Sequence, residues 1–179
     1  MRRQLRREIR KPLILMTPKS LLRHKLAVSS VAELADGSFR EILDETAAPA
    51  TTVPVELQKV KHLLLCSGKV YYDLMAEREK QQRHDAAVIR LEQLYPFPEQ
   101  QLAEILARYS QANDIVWVQE EPRNMGAWTF ILEHLSPLLH ARQTLRYAGR
   151  QAQASPAVGF QKIHQQQQTQ LLNQALQKD

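Results

Sequence analysis

From Val60 onward the chain alternates short apolar runs with longer helix-patterned stretches, and this constrains the fold more than any other feature. The runs are His62 to Cys66 (HLLLC), Ala86 to Leu91 (AAVIRL), Asp114 to Gln119 (DIVWVQ) and Leu145 to Ala148 (LRYA). Most are apolar throughout and rich in branched or aromatic side chains, as buried strands are. Between them lie Lys69 to Arg83, with Val70, Leu74 and Met75 on one side, and Glu99 to Tyr109, with Leu102, Ile105 and Leu106 at helical spacing. Asn124 to Leu139 is helical as far as Pro137, and residues 159–177 form a glutamine-rich helix with Ile163, Leu171, Leu172 and Ala175 as its apolar side. Strands buried on both faces need cover on both faces. The pattern therefore predicts a three-layer α/β domain with a mostly parallel sheet, four strands and four helices.

The first sixty residues are less regular. Leu5 and Ile9 stand four apart among arginines, which predicts a short helix over 2–10 that Pro12 stops. Leu13 to Met16 is an apolar run suited to a buried strand, Thr17-Pro18 a turn, and Ser20 to Val28 a helical turn or two. Residues 44–54 (DETAAPATTVP) predict a loop or linker. Ser67-Gly68 reads as a turn, and Tyr95-Pro96-Phe97-Pro98 as a rigid loop, because both prolines fix φ.

With 44% hydrophobic residues in 179, the chain has enough apolar surface for one ordinary core and part of a neighbour. Its single cysteine, Cys66, excludes a disulfide framework or multi-thiolate metal site and fits a reducing, cytoplasmic compartment. No apolar run approaches the ~20 residues that cross a bilayer, so no membrane partner is expected. Charge is uneven: residues 1–25 carry nine Lys/Arg against Glu8 alone, a balance of +8, and the remainder carries −3. This basic head, with Lys19 and Arg23, could hold an anionic effector, an acidic surface or nucleic acid. Only Phe39 interleaves it with an aromatic ring among residues 1–40, which argues against single-strand stacking.

Most catalytic signatures are absent. The five glycines never approach G-x-G-x-x-G or P-loop spacing, and the six histidines show no H-E-x-x-H. His62 and Cys66, four apart on one strand face, allow a thiol–imidazole pair, or simply a core cysteine. Glu120-Glu121 follows a strand at its carboxyl end, where α/β sheets bind ligands. The two acids could bind a metal or take a proton; otherwise one caps the next helix and the other is solvated.

Five stretches carry a resemblance. KPLILMTPKSLLRHKLAVSS (Lys11 to Ser30), LLLCSGKVYYDL (Leu63 to Leu74), IRLEQLYPFP (Ile89 to Pro98), WVQEEPRNMGAW (Trp117 to Trp128) and LRYAGRQAQASPAVGF (Leu145 to Phe160) resemble the C-terminal region of the thiamine-dependent, decarboxylating component of 2-oxoglutarate dehydrogenase. The resemblance implies a transketolase-like C-terminal domain at 59–179, a connecting segment at 19–58, and a terminal piece of the preceding pyrimidine-side thiamine domain at 1–18. Detached from that domain, the strand there would lose its neighbours and expose apolar surface.

The family's reaction is oxidative decarboxylation of 2-oxoglutarate with succinyl transfer to a lipoyl group, using thiamine diphosphate and Mg²⁺. Its diphosphate-and-metal motif runs from Gly-Asp-Gly to Asn-Asn. The asparagines here are Asn113, Asn124 and Asn173, and no Gly-Asp-Gly occurs. The resemblance thus implies a supporting lobe with no catalytic, cofactor or metal residue of its own. Its expected partners are the rest of the dehydrogenase polypeptide, a second copy in a homodimer, and the lipoyl succinyltransferase, with no nucleic acid among them. Some members carry an acyl-CoA site beside this domain. Gln93 matches one of its positions, while the paired arginines of those members are Gln100-Gln101 here, and their lysine–serine pair aligns near Ser38 and Glu41. Lys19, Arg23, Gln93, Glu120 and Glu121 are the residues expected at an effector or partner surface. The rival reading is a free-standing module whose basic head holds an anionic ligand or nucleic acid.

Overall fold

The computed structural model describes residues 2–45 and 55–177. Two units separate along the chain, Met1–Gly37 and Ser38–Asp179. The second is built on strands β1 (Ile42–Leu43), β2 (His62–Cys66), β3 (Ala86–Leu91), β4 (Asp114–Pro122) and β5 (Thr144–Arg150). They lie in the order β1-β3-β2-β4-β5. All neighbours are parallel except the edge strand β1, which pairs antiparallel with β3 through Ile42 opposite Leu91. The helices are α1 (Arg2–Leu5), α2 (Val31–Ala35), α3 (Val70–Lys80), α4 (Glu99–Arg108), α5 (Trp128–Leu135) and α6 (Gln161–Ala175).

The strand period sorts the core into two layers. Leu63, Leu65, Ile89, Ile115 and Trp117 point to one face and meet Leu102 and Leu106 of α4 and Ile131 and Leu135 of α5. Leu64, Cys66, Val88, Val116 and Val118 point to the other and meet Leu74 of α3 and Leu171 and Ala175 of α6. This is the three-layer, mostly parallel α/β sheet that the alternation predicts. The strand β1 is an addition, too short for a periodic signal.

Asp44 and Glu45, which open the expected linker, are buried at 7% and 6% exposure. Tyr109 Oη donates to Asp44 Oδ1 at 2.6 Å, and Arg108 Nη2 lies 3.0 Å from Oδ2. Glu45 pairs with Arg78 and accepts the Val88 amide at 2.7 Å. Burial pushes the Glu45 carboxyl above its usual range despite the Arg78 guanidinium. These bonds strap the segment around β1 to the sheet. The rest of that predicted linker, 46–54, lies outside the described residues.

The first unit departs from its expected elements. Its helix is α1, four residues instead of nine, since a short arginine-surrounded helix has little apolar surface to hold it. Leu13 to Met16 forms no strand, and Ile14 and Met16 are 82% and 92% exposed. A strand needs a neighbour for its amides, and none is supplied among the described residues. Lys19–Arg23 is a short 3₁₀ helix in the region expected to turn helically. The helix α2, not foreseen, starts with a capping box: Ser30 Oγ accepts the Glu33 amide at 3.1 Å, and Glu33 accepts the Ser30 amide at 2.9 Å.

Candidate functional site at the carboxyl edge of the sheet

Chain winding reverses between β2 and β4. The connection from β2 runs to β3 on one side, and that from β4 runs to β5 on the other. In doubly wound sheets the crevice beyond the carboxyl ends of two such strands is where ligands bind. Here Lys69, just after β2, spans it. Its Nζ lies 2.9 Å from Glu120 on β4 and 2.8 Å from Asp73 on α3. Burial pulls the Lys69 ammonium down, but its bonds to Asp73 and Glu120 outweigh this and leave its pKa above the ordinary lysine value. The crevice is therefore bridged by the protein's own ion pair. Glu120 is engaged, and the residue before α5 is Ala127, so neither acid caps that helix. Glu121 is exposed. The two carboxylates have different surroundings, which gives no paired site for proton transfer. Among the described residues no three His, Cys, Asp or Glu side chains group to hold a metal ion.

The loop after β4 is held by Gln119. Its Oε1 accepts from the Trp117 indole at 2.8 Å and the Ala127 amide at 3.2 Å, and its Nε2 donates to the Met125 carbonyl at 2.8 Å. The register of β4 against β5 shifts between Val118 and Pro122, so the strand bulges where these bonds form. Gly126 turns the loop at φ 68°. A Cβ there would sit 2.9 Å from Gln119 Nε2, so only glycine fits both the dihedral and the space. Asn124 then stitches this loop to the one after β5: its Nδ2 donates to the Gln153 carbonyl at 2.9 Å and its Oδ1 accepts the Gln153 amide at 3.0 Å. Tyr147 Oη shares its one proton within the same junction, between the Arg150 carbonyl at 3.0 Å and the Glu121 carbonyl at 3.1 Å. The stretches QEEPRNMGAW and YAGRQAQ thus form one bonded platform at the carboxyl edge.

Of the residues expected at a partner or effector surface, Glu120 and Glu121 lie on this platform. Gln93 follows β3; its amide N–H donates to the Glu41 carbonyl at 3.1 Å and its side chain to the Pro96 carbonyl at 3.0 Å, bracing the loop with the cis Tyr95-Pro96 bond. Gln101 donates to Glu41 at 2.9 Å, so Glu41, Gln93 and Gln101 gather at the β1–β3 edge. Lys19 and Arg23 belong to the first unit and are exposed. The residues sequence reasoning missed are Lys69, Gln119, Asn124, Tyr147 and Arg150, all polar and all inside the quoted motifs.

His62 and Cys66 do not form a pair. Four residues along a strand separate them by roughly 13 Å. Cys66 is wholly buried, and burial pushes its thiol up to about 12. His62 is at the opposite, amino edge, where its Nδ1 lies 2.8 Å from Asp114 Oδ2. Arg146 grips that carboxylate at 2.7 and 2.8 Å and donates to the Gln174 and Ala175 carbonyls, while Arg83 donates to that of Leu176. These arginines satisfy the open carbonyls at the end of α6. A shallow recess of about 700 Å³ beside them is lined by Lys61, His62, Asp85, Asp114 and Arg142.

The family described as "2-oxoglutarate dehydrogenase C-terminal" matches residues 28–176. The "2-oxoglutarate dehydrogenase E1 component" of Azotobacter vinelandii is 48% identical over 98% of the chain, and that of Haemophilus influenzae 46% identical over 98%. The "Oxoglutarate dehydrogenase" of a Buchnera aphidicola strain is 45% identical over 94%. The chain spans 18% of the length of each of these relatives. With the family model matching residues 28–176 and relatives 45–48% identical over nearly the whole chain, the chain belongs to the 2-oxoglutarate dehydrogenase C-terminal family.

Proposed function

We propose that this chain is the C-terminal supporting lobe of a 2-oxoglutarate dehydrogenase first component, and that it does not catalyse alone. The observation that carries this reading is the Lys69–Glu120 pair across the crevice where such sheets bind ligands. The residues present do not fit thiamine diphosphate and its metal: the diphosphate-and-metal motif is absent, and the described residues group no metal-ligand set. On this reading the cofactor site, and the groups that touch 2-oxoglutarate, belong to polypeptide outside these residues. Thiamine diphosphate would supply the carbanion chemistry there.

The same reading divides the chain. Residues 1–18 are the terminal piece of the preceding pyrimidine-side domain, 19–58 connect, and 59–179 are the lobe. The exposed Leu13, Ile14, Leu15 and Met16 support it, since a contiguous apolar run of this kind marks a surface for contact with other protein. The lobe's partners are the remaining dehydrogenase polypeptide, a second copy in a homodimer, and the lipoyl succinyltransferase of the complex. Its compartment on this reading is the cytoplasm, in keeping with the single cysteine. Lys19 and Arg23 in the first unit, and separately Gln93, Glu120 and Glu121 in the second, remain the residues proposed to meet a partner or effector.

The test is dye-coupled decarboxylation of 2-oxoglutarate with thiamine diphosphate and Mg²⁺. The chain alone is expected to give no turnover. Co-expressed with a relative truncated before the matched region, it is expected to restore turnover. Activity from the chain alone overturns the reading.

A further inference from the structure

We propose that Arg150, at the end of β5, anchors a phosphate-binding point beneath α6, separate from the Lys69–Glu120 pair and independent of the family role. Arg150 is 7% exposed. Its Nη2 donates to His164 Nδ1 at 3.1 Å and to Gln168 Oε1 at 3.4 Å. A guanidinium cannot accept, so Nδ1 is the acceptor and the ring proton sits on Nε2. Neither partner brings a negative charge. Arg150 Nε is buried with no hydrogen-bond partner among the described residues. The nearest acid in this network, Asp73, is held by Lys69 and reaches Arg150 only through the Gln168 amide, which donates to it at 2.8 Å. A buried cation without a carboxylate of its own is costly, and such groups are normally paired or liganded.

α6 supplies a second polar group of the opposite kind. Gln167 Oε1 is buried and has no donor among the described residues. His164, Gln167, Gln168 and Leu171 stand three and four apart, so they share the helix face that packs on the sheet, where Leu171 is 1% exposed. A donor and an acceptor left open on one face call for a ligand that both accepts and donates. A protonated phosphate does so: its oxygens take guanidinium N–H groups, and its P–OH can give to Gln167. Sulfate and carboxylate at neutral pH offer acceptors only. Arg123 adds positive charge at this edge: its amide donates to the Arg150 carbonyl at 3.0 Å, and its guanidinium lies 5.5 Å from the Tyr147 ring centre.

Inorganic phosphate and the monoanion of a phosphomonoester share this chemistry, so both are titrated into the full chain at about pH 6, where roughly half of the ester keeps its P–OH, and at constant ionic strength, with sodium phosphate, methyl phosphate and sodium sulfate as the three arms. Calorimetry and the NMR signal of the Arg150 Nε–H are read. A saturable phosphate response that sulfate does not match is expected. Response to methyl phosphate as well means the ester end faces solvent; response to inorganic phosphate alone means the point is enclosed. Either supports the assignment. Arg150→Lys should weaken binding at least ~tenfold, because the fork geometry is lost. Gln167→Leu should erase the preference over sulfate. A trapped water could satisfy both open groups; neither phosphate arm would then saturate, and the proposal would fail. Equal responses to phosphate and sulfate, or an unshifted Arg150 signal in the unmodified chain, would overturn it too, whatever the stability of the variants.

Discussion

Lys69 Nζ and Glu120 Oε1 lie 2.9 Å apart across the reversal point of the sheet, joining the loop after β2 to the end of β4. Both side chains are about one-quarter exposed, so the pair is partly screened. A double-mutant cycle with Lys69→Met and Glu120→Gln should show a coupling of roughly 1 kcal/mol in denaturant unfolding. Additive single-mutant costs would mean that the pair forms without linking the strands.

Acid should weaken the amino edge first. Burial raises the Asp114 carboxyl, but Arg146 and His62 outweigh it and hold it below the ordinary aspartate value of 3.8. Asp85 is also held below 3.8, chiefly by its bond to Arg83. A depressed folded value means that stability is fully present above the unfolded value and is lost as pH falls through the folded one. Unfolding free energy should therefore drop below about pH 4, by up to ~1.4 kcal/mol per pH unit for each proton taken up. Asp114→Asn should flatten that slope. An unchanged slope in this variant would show that Asp114 titrates alike in both states.

Gly126→Ala should destabilise the platform. It forces a side chain into a left-handed dihedral and against Gln119 Nε2, with an expected cost of about 1–3 kcal/mol. Because Gln119 also holds the Trp117 indole, near-ultraviolet dichroism should change with it. A neutral thermal melt together with an unaltered tryptophan signal would contradict the proposed fit.

The strap at Asp44 and Glu45 can be tested at Tyr109. Burial and the bond to Asp44 both raise the Tyr109 phenol above its ordinary value, so the hydroxyl stays protonated and donates. Tyr109→Phe should cost about 1–3 kcal/mol, because it leaves a buried carboxylate oxygen without that donor. Arg78→Met should cost more, roughly 3–5 kcal/mol, since Glu45 would stay buried with its cation gone. Similar melting temperatures for these variants and the unmodified chain would place the strap outside the cooperative fold.

The parallel core was legible because its strands are apolar on both faces: HLLLC is buried at every position, and AAVIRL nearly so. The strand β1 was not legible, because two residues carry no period and its burial comes from pairing with β3. Asp44 and Glu45 looked like linker because acids beside alanine and proline usually are; their partners Arg78, Arg108 and Tyr109 are distant in sequence. The capping box of α2 was readable as Ser30-Val31-Ala32-Glu33, a local signal that needs no tertiary contact. At the carboxyl edge, the place of Glu120 follows from the strand pattern. Its engagement by Lys69, and the hub made by Gln119, depend on the order in which strands assemble, which periodicity alone does not reveal.

The chain's one thiol, Cys66, is sealed in the central strand of the sheet with its proton held tightly. An electrophilic reagent can reach it only when the neighbouring strands part. The labelling rate of this single sulfur is thus a built-in stopwatch for the rupture of the lobe's interior, and it will slow if a partner clamps the fold shut.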